Sequence, residues 1–432
     1  MTTHLVITDS RPWAAVEETL AGYLPGLGVT LVKLDARRAL LDGSVLKALR
    51  LQYGPSGAAA VLALAGIEQR KTVGHQAVQT LLDGRAPQAD RPELSFAAAG
   101  AADWHLAMVK APEAWTLLGG ADQLDWGPLR IGQIDTGWTA HAALGFGSAK
   151  PWVAVAHGLT DFAPSMGDPF SVDGPGFGED ALSGAFAGHG TRTGGVICGR
   201  FDGAGRSYFG TAPRVPLVPC RIADHVVINH AQLQFARAVD HLVDVAKVDV
   251  INLSMGIQFA GIVKPLKRAL NKAYDKGVIM VCAAGQVVTT VAAPARLSRT
   301  LAVAGVDRNQ APWTQSARGD AVDLSAPAVQ VPVATTRRGG SMGYDVSNGT
   351  SFASAMVSAA AALWLLHRGA AIAARYPQPW QRVEAFTQLV RRTTQQPNGW
   401  QPQPFGTGIL DVEALLKAPL PAAAALRPQA PA

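Results

Sequence analysis

The chain has 432 residues, 48% of them hydrophobic and 16% charged, a balance that leaves room for more than one domain and excludes intrinsic disorder. Its net charge of +6 is mild for the length, and the Lys and Arg are scattered, so a nucleic-acid surface is not indicated. Three cysteines, Cys198, Cys220 and Cys282, form no CxxC pair and lie in apolar runs, which reads as buried structural thiols.

The first residues, MTTHLVITDSRPW, carry neither a basic n-region nor a long apolar h-region. No secretory signal is therefore expected. With no disulfide framework, the expected compartment is the cytoplasm, export by another route being left open.

Residues 1–95 read as a small α/β domain. Strands are expected at Thr3–Thr8, Val29–Leu34 and Ala58–Ala65, and helices at Trp13–Leu24, Ala39–Leu51 and Glu68–Leu82. No chemical motif stands out there, and His75 reads as a surface helix residue. The composition from Pro87 onwards is that of a linker, with residues 96–103 joining the two regions.

From Trp104 to about Ala418 the pattern is long and regular. Apolar strand-like runs at Arg130–Asp135, Pro216–Ile222, Asp249–Ser254, Val278–Ala283 and Thr300–Val306 alternate with helical runs at Ala231–Val245, Val263–Lys276 and Phe352–Leu366. That repetition implies a mostly parallel sheet covered on both faces. The helix from Phe352 is apolar nearly all round, hence buried, and is too short and serine-dotted for a membrane span. Residues 419–432, rich in Pro and Ala, read as a disordered tail.

Three stretches can carry chemistry. Ile131-Gly132-Gln133-Ile134-Asp135-Thr136-Gly137 is an apolar strand ending in an acid and a glycine turn. Functional groups gather at such carboxyl ends, although an aspartate there can equally be a plain turn residue. Gly188-His189-Gly190-Thr191 places a histidine between glycines at the start of an apolar helix, where small neighbours leave room for a substrate. Asn348-Gly349-Thr350-Ser351 puts a serine at a buried helix N-terminus, either as an N-cap or as a nucleophile whose oxyanion would face unpaired N–H groups. The chain order acid, histidine, serine matches neither the chymotrypsin-like nor the α/β-hydrolase order, and Ser351 has no GxSxG elbow. The chemistry asks for these three types: a weak nucleophile, a base to take its proton and an acid to orient the base.

On these motifs, residues 104–418 resemble a subtilisin-like serine protease, a subtilase. Gly210-Thr211-Ala212-Pro213, Val250 to Gly256, Ser316 to Pro327 and Phe405 to Asp411 also fall in family order. The resemblance implies a three-layer α/β fold with a mostly parallel central sheet, preceded here by the small N-terminal domain. It implies an endopeptidase that hydrolyses peptide bonds through Asp135, His189 and Ser351 and an acyl-enzyme. It further implies that Leu253, Ser254, Met255 and Gly256, with Ala283, Ala284 and Gly285, hold the substrate backbone and wall the S1 pocket, pairing with the peptide as an added strand. The partner is then a polypeptide, with the chain's own N-terminal domain, prodomain-like or regulatory, as a second partner of the cleft; neither nucleic acid nor membrane is implied. No cofactor is needed. Calcium in a surface loop is the one ion the family suggests, but Asp161, Asp168, Asp173, Glu179 and Asp180 do not have calcium-loop spacing and read as a solvated loop.

This sequence departs from the family at two positions and in one stretch, Gln286 to Pro294, which is shorter than usual. Gln286 stands where the family has an asparagine that donates to the oxyanion, and Ala355 where it usually has proline. These departures motivate an alternative, a catalytically weak or inactive peptide-binding module. The uncharged stretch Gln286 to Pro294, with Val291 and Ala292, suggests an apolar or small P1 residue.

Overall fold

A computed structural model describes residues 3–8, 11–24, 29, 31–33, 38–73 and 103–432, apart from 149–150, 163–172, 174–175, 177, 183–185, 202–207, 259 and 337–341. The chain forms two compact units, Met1–Pro92 and Glu93–Ala432.

In the first unit, strands β1 (Thr3–Thr8), β2 (Val32–Lys33), β3 (Arg38–Leu41) and β4 (Ile67–Val73) make an antiparallel sheet in the order β2-β3-β1-β4. Helices α1 (Trp13–Tyr23) and α2 (Gly43–Leu64) contribute Val16, Leu20, Leu49 and Leu62 to a core completed by Val6 and Leu41. Three expectations fail here. Residues 39–41, expected to open a helix, belong to β3, and the helix begins only at Gly43. The Ala58–Ala65 run is not a strand: it lies almost wholly in α2, because a short apolar run is equally compatible with a buried helix. The helix expected from Glu68 is instead β4 over its first turns, where an edge position tolerates the charged run Glu68 to Lys71. His75, the rest of that expected helix and the 96–102 linker lie outside the described residues.

The second unit is built on a seven-stranded, wholly parallel sheet in the order β11-β10-β9-β8-β5-β7-β6. Its strands are β5 (Ile131–Asp135), β6 (Leu159–Thr160), β7 (Leu217–Arg221), β8 (Val250–Leu253), β9 (Ile279–Ala283), β10 (Leu301–Val306) and β11 (Leu324–Pro327). Successive side chains of a strand point to opposite faces, so each inner strand serves two cores. In β9, Ile279 and Val281 enter one apolar cluster while Met280 and Cys282 enter the other. Helices α3 (Trp104–Met108), α4 (Ala111–Leu117), α5 (His189–Cys198) and a much longer helix from Thr350 cover the first face; α6 (Gln232–Asp244) and α7 (Lys264–Asp275) cover the second. Three layers result. A hairpin of β12 (Val331–Thr336) and β13 (Met342–Ser347) leads into that long helix, α8 (Thr350–Arg375).

α8 extends well past the expected end and is long and apolar enough to cross a membrane. Inside the unit it is the core helix: every side chain from Thr350 to Leu365 is buried, Trp364 completely. Truncating such a tryptophan costs about 3–5 kcal/mol. The serines that dot α8 have polar partners in the sheet. Ser358 Oγ donates to Asn252 Oδ1 at 3.0 Å, Asn252 Nδ2 donates to Ser254 Oγ at 3.0 Å, and Ser254 Oγ donates to the Ser351 carbonyl at 3.0 Å. This buried ladder fastens β8 to α8 with its polar groups paired, which is the condition for burying them.

α9 (Trp380–Arg392) and α10 (Val412–Lys417) close the unit. The disordered tail expected at 419–432 is instead packed. Leu426 is buried, Tyr376 Oη and Arg375 Nε donate to the Pro421 carbonyl, Arg299 donates to the Gln429 carbonyl, and Gln429 N–H donates to Tyr274 Oη. Composition failed as a guide because these contacts are made to backbone groups, which proline and alanine still offer.

Candidate active site

β5 delivers Asp135 at its last residue, α5 begins with His189, and Ser351 is the second residue of α8. All three are buried. His189 Nδ1 stands 2.6 Å from Asp135 Oδ1, and His189 Nε2 stands 3.1 Å from Ser351 Oγ. A carboxylate only accepts, so Nδ1 carries the proton and Nε2 is left as acceptor for the serine hydroxyl. Asp135 is held in turn by the Thr136 N–H at 2.7 Å on Oδ1 and the Thr193 hydroxyl at 3.0 Å on Oδ2. The Ser351 hydroxyl has a second acceptor, the Ser254 carbonyl at 3.2 Å. Its proton is thus shared between a resting acceptor and the imidazole, a looseness common in free sites.

Two glycines permit this approach. Gly137 has φ +129°, and a Cβ on it would lie 2.5 Å from the Gly178 carbonyl oxygen. A Cβ on Gly190 would collide with the Gly137 carbonyl. Both positions need a residue without a side chain.

Gln286 follows β9 and sits at the turn before Ser351. Its Oε1 accepts the Thr350 N–H at 2.8 Å and the Thr350 hydroxyl at 3.2 Å. The next residue, Val287, has φ +73°, an uncommon strained conformation for a β-branched side chain. Ala355 lies inside α8, which runs through it without interruption.

The substrate-binding residues expected from the resemblance are brought together, since the parallel neighbours β8 and β9 end side by side at Leu253 and Ala283. Ser254, Met255 and Gly256 continue one, and Ala284 and Gly285 the other. One part of that expectation needs correction. Gly256 does not offer free main-chain groups for an added strand: its N–H donates to the Val226 carbonyl at 2.8 Å and its carbonyl accepts the Ile228 N–H at 2.9 Å. The reason is local, as the chain after β7 runs parallel to this segment at Val227 and pairs with it first. Behind the two walls sits Ala292. A Cβ on Gly256 would come within 2.8 Å of it, and one on Gly285 within 3.5 Å, with Gln258 Nε2 3.1 Å from the latter.

Sequence reasoning missed Asp180. It was read with the solvated acidic loop, but it is fully buried, and burial first, then the neighbouring Asp135, pushes its carboxyl above the usual range. The signal was available only as the threonines Thr136 and Thr191, whose role as its donors no pattern announces. Asp168 lies outside the described residues. Among the described residues no group of three His, Cys, Asp or Glu side chains is arranged to hold a metal ion. The three cysteines are buried and unpaired, and burial raises their thiols, that of Cys220 to about 12, so they stay protonated and inert.

A three-layer α/β unit with an acid–histidine–serine row at the carboxyl ends of its strands defines the class. Residues 160–408 match the model of the subtilase family, and the chain belongs to that family. The match includes His189 and Ser351 and begins after Asp135, whose place in the row rests on the geometry above. Among curated relatives, Subtilisin E of Bacillus subtilis is 27% identical over 282 residues, covering 62% of this chain and 63% of its own, so the chain spans just under two thirds of that relative's length. Subtilisin DY of Bacillus licheniformis is 29% identical over 294 residues, covering 66% of this chain and 90% of its own. Among solved structures, a protease of Pseudoalteromonas arctica PAMC 21717 superposes with a TM-score of 0.56 at 21% identity, over 73% of this chain and 96% of its own. MycP1 with its N-terminal propeptide removed gives 0.53 at 23%, over 74% and 98%. These structures share the fold.

Proposed function

We propose that the chain is a serine endopeptidase working through an acyl-enzyme. The observation that carries this reading is His189, bonded to Asp135 on one side and to Ser351 on the other at 2.6 and 3.1 Å. His189 takes the Ser351 proton as Oγ attacks the scissile carbonyl, then returns it to the leaving amine; Asp135 holds the tautomer and stabilises the imidazolium. Water repeats the cycle to release the acyl group. The Ser351 N–H, at the start of α8 and so without a partner in the helix, faces the developing oxyanion. Anchoring Gln286 Oε1 on Thr350 orients its NH2 group as the second donor. The reaction draws on no cofactor. Ala292, close behind Gly256 and Gly285, is the side chain that would limit P1 to a small or apolar residue. The test is hydrolysis of an unfolded protein by the wild type and by Ser351→Ala: cleavage by the first alone supports the reading, and equal cleavage or none contradicts it.

A second reading, a peptide-binding module with slow turnover, is favoured by the departures Gln286 and Ala355 beside Ser351. It predicts tight binding of peptides that the wild type leaves intact. The N-terminal unit is proposed to act on the cleft and to be removed by the enzyme itself. The intact mass of the wild type would then lack that unit, while Ser351→Ala keeps it; equal masses would contradict removal.

A further inference from the structure

Helix α5, which begins with His189, has no side-chain cap: its N-cap residue is Gly188. A helix start leaves backbone N–H groups unpaired and favours negative charge. Here a carboxylate from outside the helix fills the place. Asp180 Oδ2 accepts both the Thr191 N–H and the Thr191 hydroxyl at 2.9 Å. Its Oδ1 accepts the Thr136 hydroxyl, and the same Thr136 oxygen accepts the Gly190 N–H at 3.0 Å. Every partner neighbours a member of the triad: Thr136 follows Asp135, and Gly190 and Thr191 follow His189. The Asp180 N–H is itself fixed, donating to the Trp138 carbonyl at 2.7 Å.

We infer that Asp180 is a positioning residue of the triad, tying the strand end that presents Asp135 to the helix start that presents His189. This rests on the proposed protease reading for its effect on rate, but not for its effect on the Asp135–His189 hydrogen bond. β5 and α5 are separate rigid elements, and the 2.6 Å contact between their side chains survives only if the elements keep their spacing. Misplacement by 1 Å can cost about a hundredfold in rate. Asp180 supplies the spacing from inside the protein, where three donors meet its two oxygens. A neutral Asn has one accepting oxygen and turns an NH2 toward a donor. Keeping a buried carboxylate beside Asp135 is costly: burial, then Asp135, raises its titration, and the Thr136 and Thr191 bonds oppose this. The charged groups near it are Asp135 and Arg221 of β7, whose Nη1 donates to the adjacent Glu179 carbonyl at 2.6 Å.

The experiment compares Asp180→Asn and Asp180→Ala with the wild type in the full chain. In the first arm, kcat should fall at least about tenfold with KM changed less than about twofold, because the Asp135–His189 contact is loosened while the substrate-binding segments are untouched. The second arm needs no activity. In the Ser351→Ala background, the low-field proton of the Asp135–His189 hydrogen bond should exchange faster with water in Asp180→Asn. An unchanged resonance overturns the proposal, whatever the rates show. A wild type that hydrolyses no peptide, with the resonance still responding, instead overturns the protease reading alone. Should the Asp180 variants not fold, Thr191→Val removes one bond to the carboxylate and leaves the charge. It should still lower kcat and speed exchange, and no change in either overturns the inference.

Discussion

Gln286 Oε1 accepts the backbone N–H of Thr350, one residue before Ser351, at 2.8 Å. The longer side chain thus reaches the turn before Ser351 and places its oxygen there, which fixes the amide plane. Glutamine at this position is built into the turn through both the Thr350 N–H and the Thr350 hydroxyl.

Gln286→Ala should therefore lower kcat by about 10²–10³, the range established for loss of the equivalent donor in subtilisin itself. Gln286→Asn is expected to be impaired as well, because the shorter side chain cannot keep the Thr350 bond. Steady-state kinetics on a peptide substrate checks both; a rise in kcat for Gln286→Asn would show a handicapped natural site instead.

Gly190→Ala is the sharpest steric test. Its Cβ would run into the Gly137 carbonyl, between the elements that carry His189 and Asp135. Relief by backbone movement should cost about 1–3 kcal/mol of stability and most of the activity. Thermal melting with an activity assay measures both, and a variant of wild-type rate would refute the tight approach.

Acid stability should depend on His105. It is completely buried, its Nε2 donates to the Phe209 carbonyl at 2.8 Å, and burial lowers its pKa to about 4. The unfolded chain, with a pKa near 6.5, binds this proton more readily than the folded one. Stability from this group is thus present above about 6.5 and is lost as pH falls toward 4, by about 3 kcal/mol in all. Urea unfolding of Ser351→Ala, which avoids self-digestion, should show the loss between these limits, and His105→Gln should reduce it.

Deleting residues 419–432 should destabilise the second unit. Leu426 is buried, and Gln429 bridges Arg299 and Tyr274. Losing the leucine alone costs about 1.5–3 kcal/mol. A lower urea midpoint with unchanged slope is the expected result.

Much of the second unit is legible because its strands are short, continuous apolar runs between helical stretches. The runs around Ile131, Leu217, Val250, Ile279 and Leu301 each became a strand of the parallel sheet. Asp135, His189 and Ser351 were legible because their motifs hold unusual residue types, a histidine between glycines above all. What sequence could not supply was long-range. Asp180 looks like any loop acid until Thr136 and Thr191 fold over it. Gly256 appears open until Val226 and Ile228 pair with it. In the N-terminal unit, β4 has a helix-like pattern of its own, and its pairing with β1 decides its form instead.

The most direct test is covalent labelling of Ser351. A fluorophosphonate should add once to the wild type, with the adduct mapped by mass spectrometry to Ser351. It should not add to Ser351→Ala, and should add at least about a hundredfold more slowly to His189→Ala. Equal labelling of wild type and Ser351→Ala, or labelling of neither, would contradict the account.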